Sequence, residues 1–228
     1  MNAICVLNLN SFLPTQCRAS FQAAATRWQC EYIEIREPLA QIHHFWIKSL
    51  IPTSCYVTRF ERVLQLDADV LIRSDCPSPF DLVPPGKIGV VTRVQPGCRT
   101  ACRVIWQNNK RQADVFGVPI YTDAREHLNA GFILYNVQAH KPIMERWKES
   151  GKHGNYANIG CPEQLALSCI LAQHKDQTHW LPNDFNRCHG HYQLPERGRM
   201  PKYIMHIHRP RIGSLAHHVG LYQWQLQS

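Results

Sequence analysis

Short β-rich runs alternate with helix-like stretches through the first half of the chain, and this alternation constrains the fold more than any other feature. The runs are ICVLNL (4–9), CEYIEI (30–35), RVLQL (62–66) and KIGVVTRV (87–94). Between the first two lies PTQCRASFQAAATRWQ, Ala-rich, with Pro14 suited to a first helical turn; between the next two lies QIHHFWIKSLI, closed by Pro52. Strands that recur after each helix predict an α/β fold with a largely parallel sheet covered on both faces. Right-handed crossovers then make this half resemble a nucleotide-binding α/β unit. At 228 residues the chain can build one sizeable core and is short for two full domains.

Beyond residue 94 the pattern loosens. The stretch 95–122 holds Pro96, Gly97, Gly117 and Pro119 among Arg99, Arg103, Lys110 and Arg111, without a strand period; a long excursion over the functional face is expected there. LNAGFILYN (128–136) reads as another strand and HKPIMERWKES (140–150) as a helix. PEQLALSCILAQ (162–173) reads as a helix opened by Pro162 whose apolar residues lie nearly all round, so it should be buried. HWLPNDFN (179–186) is loop-like, and YIMHIH (203–208) is strand-like.

The net charge of +8 with His neutral favours anionic partners: sugar nucleotides, phosphorylated or lipid-linked acceptors, a membrane surface or nucleic acid. No segment approaches the roughly 20 continuous apolar residues of a membrane helix. The N-terminus MNAICVLNLNSF lacks a basic n-region and a small-residue cleavage site. A cytoplasmic location with peripheral membrane contact is the expectation. The ten cysteines are scattered without a CxxC pair and read as buried thiols; Cys98 and Cys102 would be neighbours on a helix. Trp106, Tyr192 and Tyr203 stand in basic stretches and could stack on bases, but no established nucleic-acid motif accompanies them, and no nucleic-acid partner is expected. Cys188, His189 and His191 lack a second ligand pair at zinc-finger spacing.

RVLQLDADVLI (62–72) places two carboxylates between apolar triplets, where a strand ends inside the protein. Burying an ionised carboxylate without a partner is costly, so a positive group belongs there. On extended backbone Asp67 and Asp69, spaced i, i+2, point to the same side. Such a pair suits a hard divalent cation that bridges the oxygens of a diphosphate. A solvated turn is the plain alternative for an isolated D-x-D.

The setting of that pair resembles GT-A glycosyltransferases, most closely the glycogenin-like and galactosyltransferase group classed as family 8. The stretch from Trp46 to Phe80, with Lys48 and RFERVLQLDADVLIRSDCPSPF, is similar to that group's lysine, strand and LDxD block. LNAGFILYN resembles its FNAG strand, PEQLAL (162–167) its DQD helix start, LPNDFN (181–186) its LPxxWN turn, and YIMHIHRP (203–210) its closing His segment. Order and spacing hold over roughly two thirds of the chain, Trp46 to Pro210. The resemblance implies one GT-A, Rossmann-like domain over 1–228, with a nucleotide and metal half over about 1–92 and a sugar and acceptor half over about 93–228. It also implies a metal-dependent transfer of sugar from a nucleotide-diphosphate donor, a UDP-sugar first, to a glycan, lipid-linked or protein acceptor, with retention of anomeric configuration. Should the enzyme invert, Asp114, Asp123 or Glu126 could serve as general base.

By the same resemblance Asp67, Asp69 and His206 would hold Mn2+ or Mg2+, His206 and His208 sharing a face of an extended strand. A set of two carboxylates and an imidazole favours Mn2+. Lys48 would meet the donor phosphates as a point charge, and Arg209 would contact the same phosphates. Asn129, Ala130 and Gly131 would line the sugar pocket, the amide meeting hydroxyls and the small residues admitting the backbone. Gln164 would face the anomeric carbon and steady an oxocarbenium-like state with its carbonyl; Glu163 stands beside it as a second catalytic candidate, or as an acid complementing the helix dipole. Where the family carries a Thr and an aromatic near the base, this chain reads LNLNSF, which makes Asn8 a donor-binding candidate and leaves the base open. Nucleotidyl transfer, sugar-nucleotide hydrolysis and a non-catalytic basic binding protein are the rival functions for the same residues.

Overall fold

The computed structural model describes residues 1–9, 13–40, 46–93, 123–152, 161–188 and 203–206. The stretch 95–122, with Asp114, Cys98 and Cys102, lies outside these residues, as do His189, His191, Tyr192, His208 and Arg209.

The alternation expected for the first half is present. Strands β1 (Asn2–Leu7), β2 (Glu31–Ile35), β3 (Arg62–Leu66) and β5 (Ile88–Thr92) coincide with the β-rich runs, while β4 (Val70–Ile72) continues the aspartate segment. Helix α1 (Thr15–Arg27) joins β1 to β2, and the short helices α2 (Ile47–Leu50) and α3 (Pro79–Leu82) flank β3 and β4. The second half supplies β6 (Leu128–Asn136), α4 (Lys141–Ser150), α5 (Pro162–Ala172) and β7 (Thr178–Leu181), then the short strands β8 (Arg187–Cys188) and β9 (Ile204–His206).

Six strands form one sheet in the order β2-β1-β3-β6-β5-β7. β1 is parallel to β2 and β3, and β5 to β7, whereas β6 runs antiparallel to both β3 and β5. The sheet therefore departs from the parallel expectation at β6. An antiparallel neighbour re-enters the sheet from the edge at which its predecessor left, so no crossover helix is needed between β5 and β6. The Arg93 N–H donates to the His127 carbonyl at 2.7 Å, tying the exit from β5 to the entry of β6.

Both faces of the sheet are covered. One packs Trp46, Ile51, Met144, Trp147, Leu167 and Ile170 against Val63, Val90, Ile133 and Tyr135. The other packs Cys17, Phe21, Ala24, Ile72 and Phe80 against Ile4, Leu64 and Phe132. Every residue of α5 from Pro162 to Leu171 is buried, as its all-round apolar pattern requires. Cys5, Cys17, Cys76 and Cys169 are buried thiols in accord with the sequence, Cys30 and Cys161 are half-buried, and Cys55 is exposed. Among the described residues no helix is long and apolar enough to cross a membrane.

Candidate active site at the carboxyl edge of the sheet

Strands β1, β2, β3, β5 and β7 run in one direction, so their carboxyl ends share an edge with the amino end of antiparallel β6. Asp67 follows β3 at this edge, and its N–H donates to the Gly131 carbonyl at 3.1 Å. The two acids do not lie on one continuous strand, however. β3 ends at Leu66, Ala68 and Asp69 form a turn, and the chain resumes as β4 in a separate sheet ordered β4-β9-β8. The same-side argument from strand periodicity therefore does not apply. Their common neighbourhood comes from the turn: the charges of both Asp67 and Asp69 act on Lys48.

The Lys48 ammonium forms an ion pair with Asp67 Oδ1. Gln65, one β-repeat before Asp67 and buried, donates from Nε2 to the Lys48 carbonyl at 3.1 Å, fixing α2 against β3. Burial opposes the lysine charge, but Asp67, Glu163 and Asp69 outweigh it and hold the lysine pKa above its ordinary value. The site brings together, from three segments of chain, one cation and three carboxyl groups.

Asn129, Ala130 and Gly131 are buried at the start of β6. Asn129 Oδ1 accepts from the Gly131 N–H at 2.9 Å, and Gln164 Oε1 accepts from the Ala130 N–H at 3.1 Å. Gln164 is thus a strap between α5 and the NAG strand, seconded by Ser168, whose Oγ accepts from the Leu128 N–H at 3.1 Å. With Oε1 so engaged, Gln164 Nε2 is the donor toward His127 Nε2 at 2.9 Å. His127 must be unprotonated at that nitrogen, in keeping with burial, and secondarily Arg93, pushing its pKa down to about 3. Replacing Gln164 by Leu strands the Ala130 N–H and the His127 ring nitrogen. A loss of about 1–3 kcal/mol of stability is expected, read from urea unfolding.

Cys161 sits in the left-handed region (φ 61°) and turns the chain into α5, so that Glu163 and Gln164 occupy its first turn. The Glu163 carbonyl accepts from Trp147 Nε1 at 2.7 Å. Glu163 as a whole is 2% exposed, and its Oε2 has no hydrogen-bond partner among the described residues. Burial raises its pKa from the ordinary 4.5 to about 7 against the pull of Lys48, with Asp67 adding to the rise. A carboxyl that holds its proton longer in the folded chain stabilises the fold below its unfolded pKa, and that stability is lost as pH rises through the folded one. In the presence of chelator, wild type is expected to lose up to about 3 kcal/mol relative to Glu163→Gln between about pH 4.5 and 7. His127, depressed to about 3, contributes the opposite slope below its ordinary 6.5; comparing the two proteins by urea titration at each pH cancels it.

The remaining candidates separate. Asn8 is 3% exposed: Nδ2 donates to Glu34 Oε1 at 2.7 Å, and Oδ1 accepts from the Leu13 N–H at 2.7 Å. Glu34 also takes the Arg18 guanidinium on both oxygens, which holds its pKa down at about 2. Asn8 therefore braces the ends of β1 and β2. β9 pairs with β4 so that His206 is in register with Val70, the residue after Asp69; its side chain lies outside those described. Among the described residues no three His, Cys, Asp or Glu side chains are gathered as a metal group. Asp123 is paired with Arg125, and Glu126 with Lys175, both at the surface. Sequence reasoning passed over His127, Gln65 and Cys161. The signals were weak: a lone His before LNAG, a polar residue inside an apolar strand, and a Cys before Pro162.

No protein-family model matches the chain, and no curated protein matches it. Solved structures do. Mouse xyloside xylosyltransferase 1 aligns over 91% of this chain and 98% of its own at 15% identity, with a TM-score of 0.54. A glycosyltransferase involved in glycosylating the major capsid of PBCV-1 aligns over 95% and 98% at 10% identity, with a TM-score of 0.63. The bifunctional glycosyltransferase WbbM gives 0.60 at 11% identity over 91% of this chain, which spans 45% of WbbM. At such identities the likeness is one of architecture, and the architecture of this chain is the GT-A fold.

Proposed function

We propose that the chain is a metal-dependent glycosyltransferase, a single GT-A domain that moves a sugar from a nucleotide-diphosphate donor, a UDP-sugar first, to an acceptor hydroxyl. The observation that carries this is the cluster of Asp67, Asp69, Lys48 and Glu163 beside the buried NAG strand, at the carboxyl edge where α/β sheets bind ligands.

The donor set fits a hard divalent cation, Mn2+ or Mg2+. Asp67 and Asp69 are carboxylates at a half-buried turn, and a further buried carboxyl oxygen, Glu163 Oε2, is without a partner among the described residues. Asp67 and Asp69 would hold the ion, with His206 proposed as third ligand from the register of β9 on β4. Once bound, such an ion supplies charge neutralisation on the leaving diphosphate. Lys48 provides a mobile positive charge at the same place, and Arg209 is proposed to meet the phosphates. Asn129, Ala130 and Gly131, braced by Gln164 and His127, form a rigid wall for the sugar. Glu163, poised near neutrality by its burial, is suited to hold or release a proton near the reacting sugar. Retention of configuration is what the family 8 resemblance implies, and by the same resemblance the Gln164 carbonyl would face the anomeric carbon.

A panel of sugar nucleotides is the direct test, read as Mn2+-dependent release of nucleoside diphosphate. One donor should turn over and chelator should stop it. Absence of binding or turnover across the panel would sink the proposal, and pyrophosphate as product would move the chain to nucleotidyl transfer.

A further inference from the structure

We propose that Lys48 is the internal counter-ion of the Asp67–Asp69 pair, that it competes with a divalent cation for Asp67, and that a nucleoside diphosphate ends the competition by drawing the ammonium to itself. The proposal rests on the donor-site reading above and adds an order of events to it.

Lys48 does not wait over an open phosphate site. Its ammonium is on Asp67 Oδ1, one of the two carboxylate oxygens through which Asp67 would hold a cation. The two side chains are only 22% and 17% exposed, so solvent and salt screen them weakly. Removing the lysine charge would leave neighbouring carboxylates uncompensated in partial shelter, which is why the pair forms. A dication arriving alone would share one carboxylate with an ammonium and meet its repulsion. The lysine backbone cannot withdraw, because Gln65 Nε2 grips its carbonyl at 3.1 Å. Its four-carbon stem can, since it is flexible and carries a compact charge that any phosphate oxygen accepts. A diphosphate at this edge offers the ammonium a new partner and leaves both carboxylates to the cation. Because binding free energies are reciprocal, the cation then strengthens the nucleotide by the same factor.

The experiment is Mn2+ binding to the whole chain, followed by the electron paramagnetic resonance signal of free Mn2+, with and without UDP. Lys48→Met should bind Mn2+ alone at least about 10-fold tighter than wild type, as a repulsive charge is removed. The same variant should bind UDP more weakly, and UDP should strengthen its Mn2+ binding by a smaller factor than in wild type. Lys48→Arg keeps the charge and should leave Mn2+ binding as weak as in wild type, which separates loss of charge from a disturbed fold. If wild type binds Mn2+ in the presence of UDP but Lys48→Met binds Mn2+ alone no better than wild type does, the counter-ion role is wrong and the donor site stands. If neither protein binds Mn2+ even with UDP present, the donor-site reading fails and takes this proposal with it.

Discussion

Asp69→Asn is expected to cut donor turnover by roughly 100- to 1000-fold, equivalent to about 3–4 kcal/mol of transition-state stabilisation. The substitution keeps the size and shape of the side chain and removes one negative oxygen from a turn that links two sheets. Stability should change little, because β4 and β9 pair through backbone beyond this residue. The check is kcat for the identified donor against Mn2+ concentration, with the urea midpoint measured alongside. Asp67→Asn should cost as much in rate, yet it also strips Lys48 of its ion partner, so its effect mixes binding with charge balance. Wild-type turnover in Asp69→Asn would show that this acid is a turn residue, as an isolated D-x-D allows.

Trp147→Ala should be the most destabilising single change at the site's periphery, costing about 3–5 kcal/mol. Trp147 is completely buried in the core that joins α4 and α5 to the sheet. Its indole also donates to the Glu163 carbonyl at 2.7 Å, anchoring the first turn of α5. The Ala variant loses both the packing and the anchor. Trp147→Phe keeps much of the packing and loses the hydrogen bond, for about 1–2 kcal/mol. Guanidinium or urea unfolding separates these costs. If the anchor positions Glu163 and Gln164, the Phe variant should lose kcat beyond what its stability accounts for; a purely structural tryptophan would leave kcat unmoved.

Much of the framework was legible in the chain. LNAGFILYN marks β6 residue for residue, and the all-round apolar PEQLALSCIL marks a helix that is in fact entirely buried. These features follow from local spacing, since alternation or continuity of apolar residues reports which faces of an element are covered. The direction of β6 was not legible, because a strand's sequence looks alike whether its neighbours run with it or against it. RVLQLDADVLI reads as a strand ending at two acids on extended backbone, because apolar triplets flank them, yet it feeds two sheets and turns at Ala68–Asp69. The hydrogen bond from Asn8 to Glu34, 26 residues away, was not legible either, because the sequence does not show which side chains meet through space.

For the Asp-Ala-Asp segment the division is sharp. Two carboxylates flanked by buried apolar triplets demand a compensating positive charge, and that demand is a property of the sequence alone, because desolvation follows from the neighbours along the chain. Which charge answers it is decided by distances through space. Tertiary structure brings Lys48 from helix α2 onto Asp67, sets Glu163 close enough for both charges to act on it, and braces Gln164 between His127 and Ala130. Electrostatic energies depend on separation and burial, and neither is written in residue order.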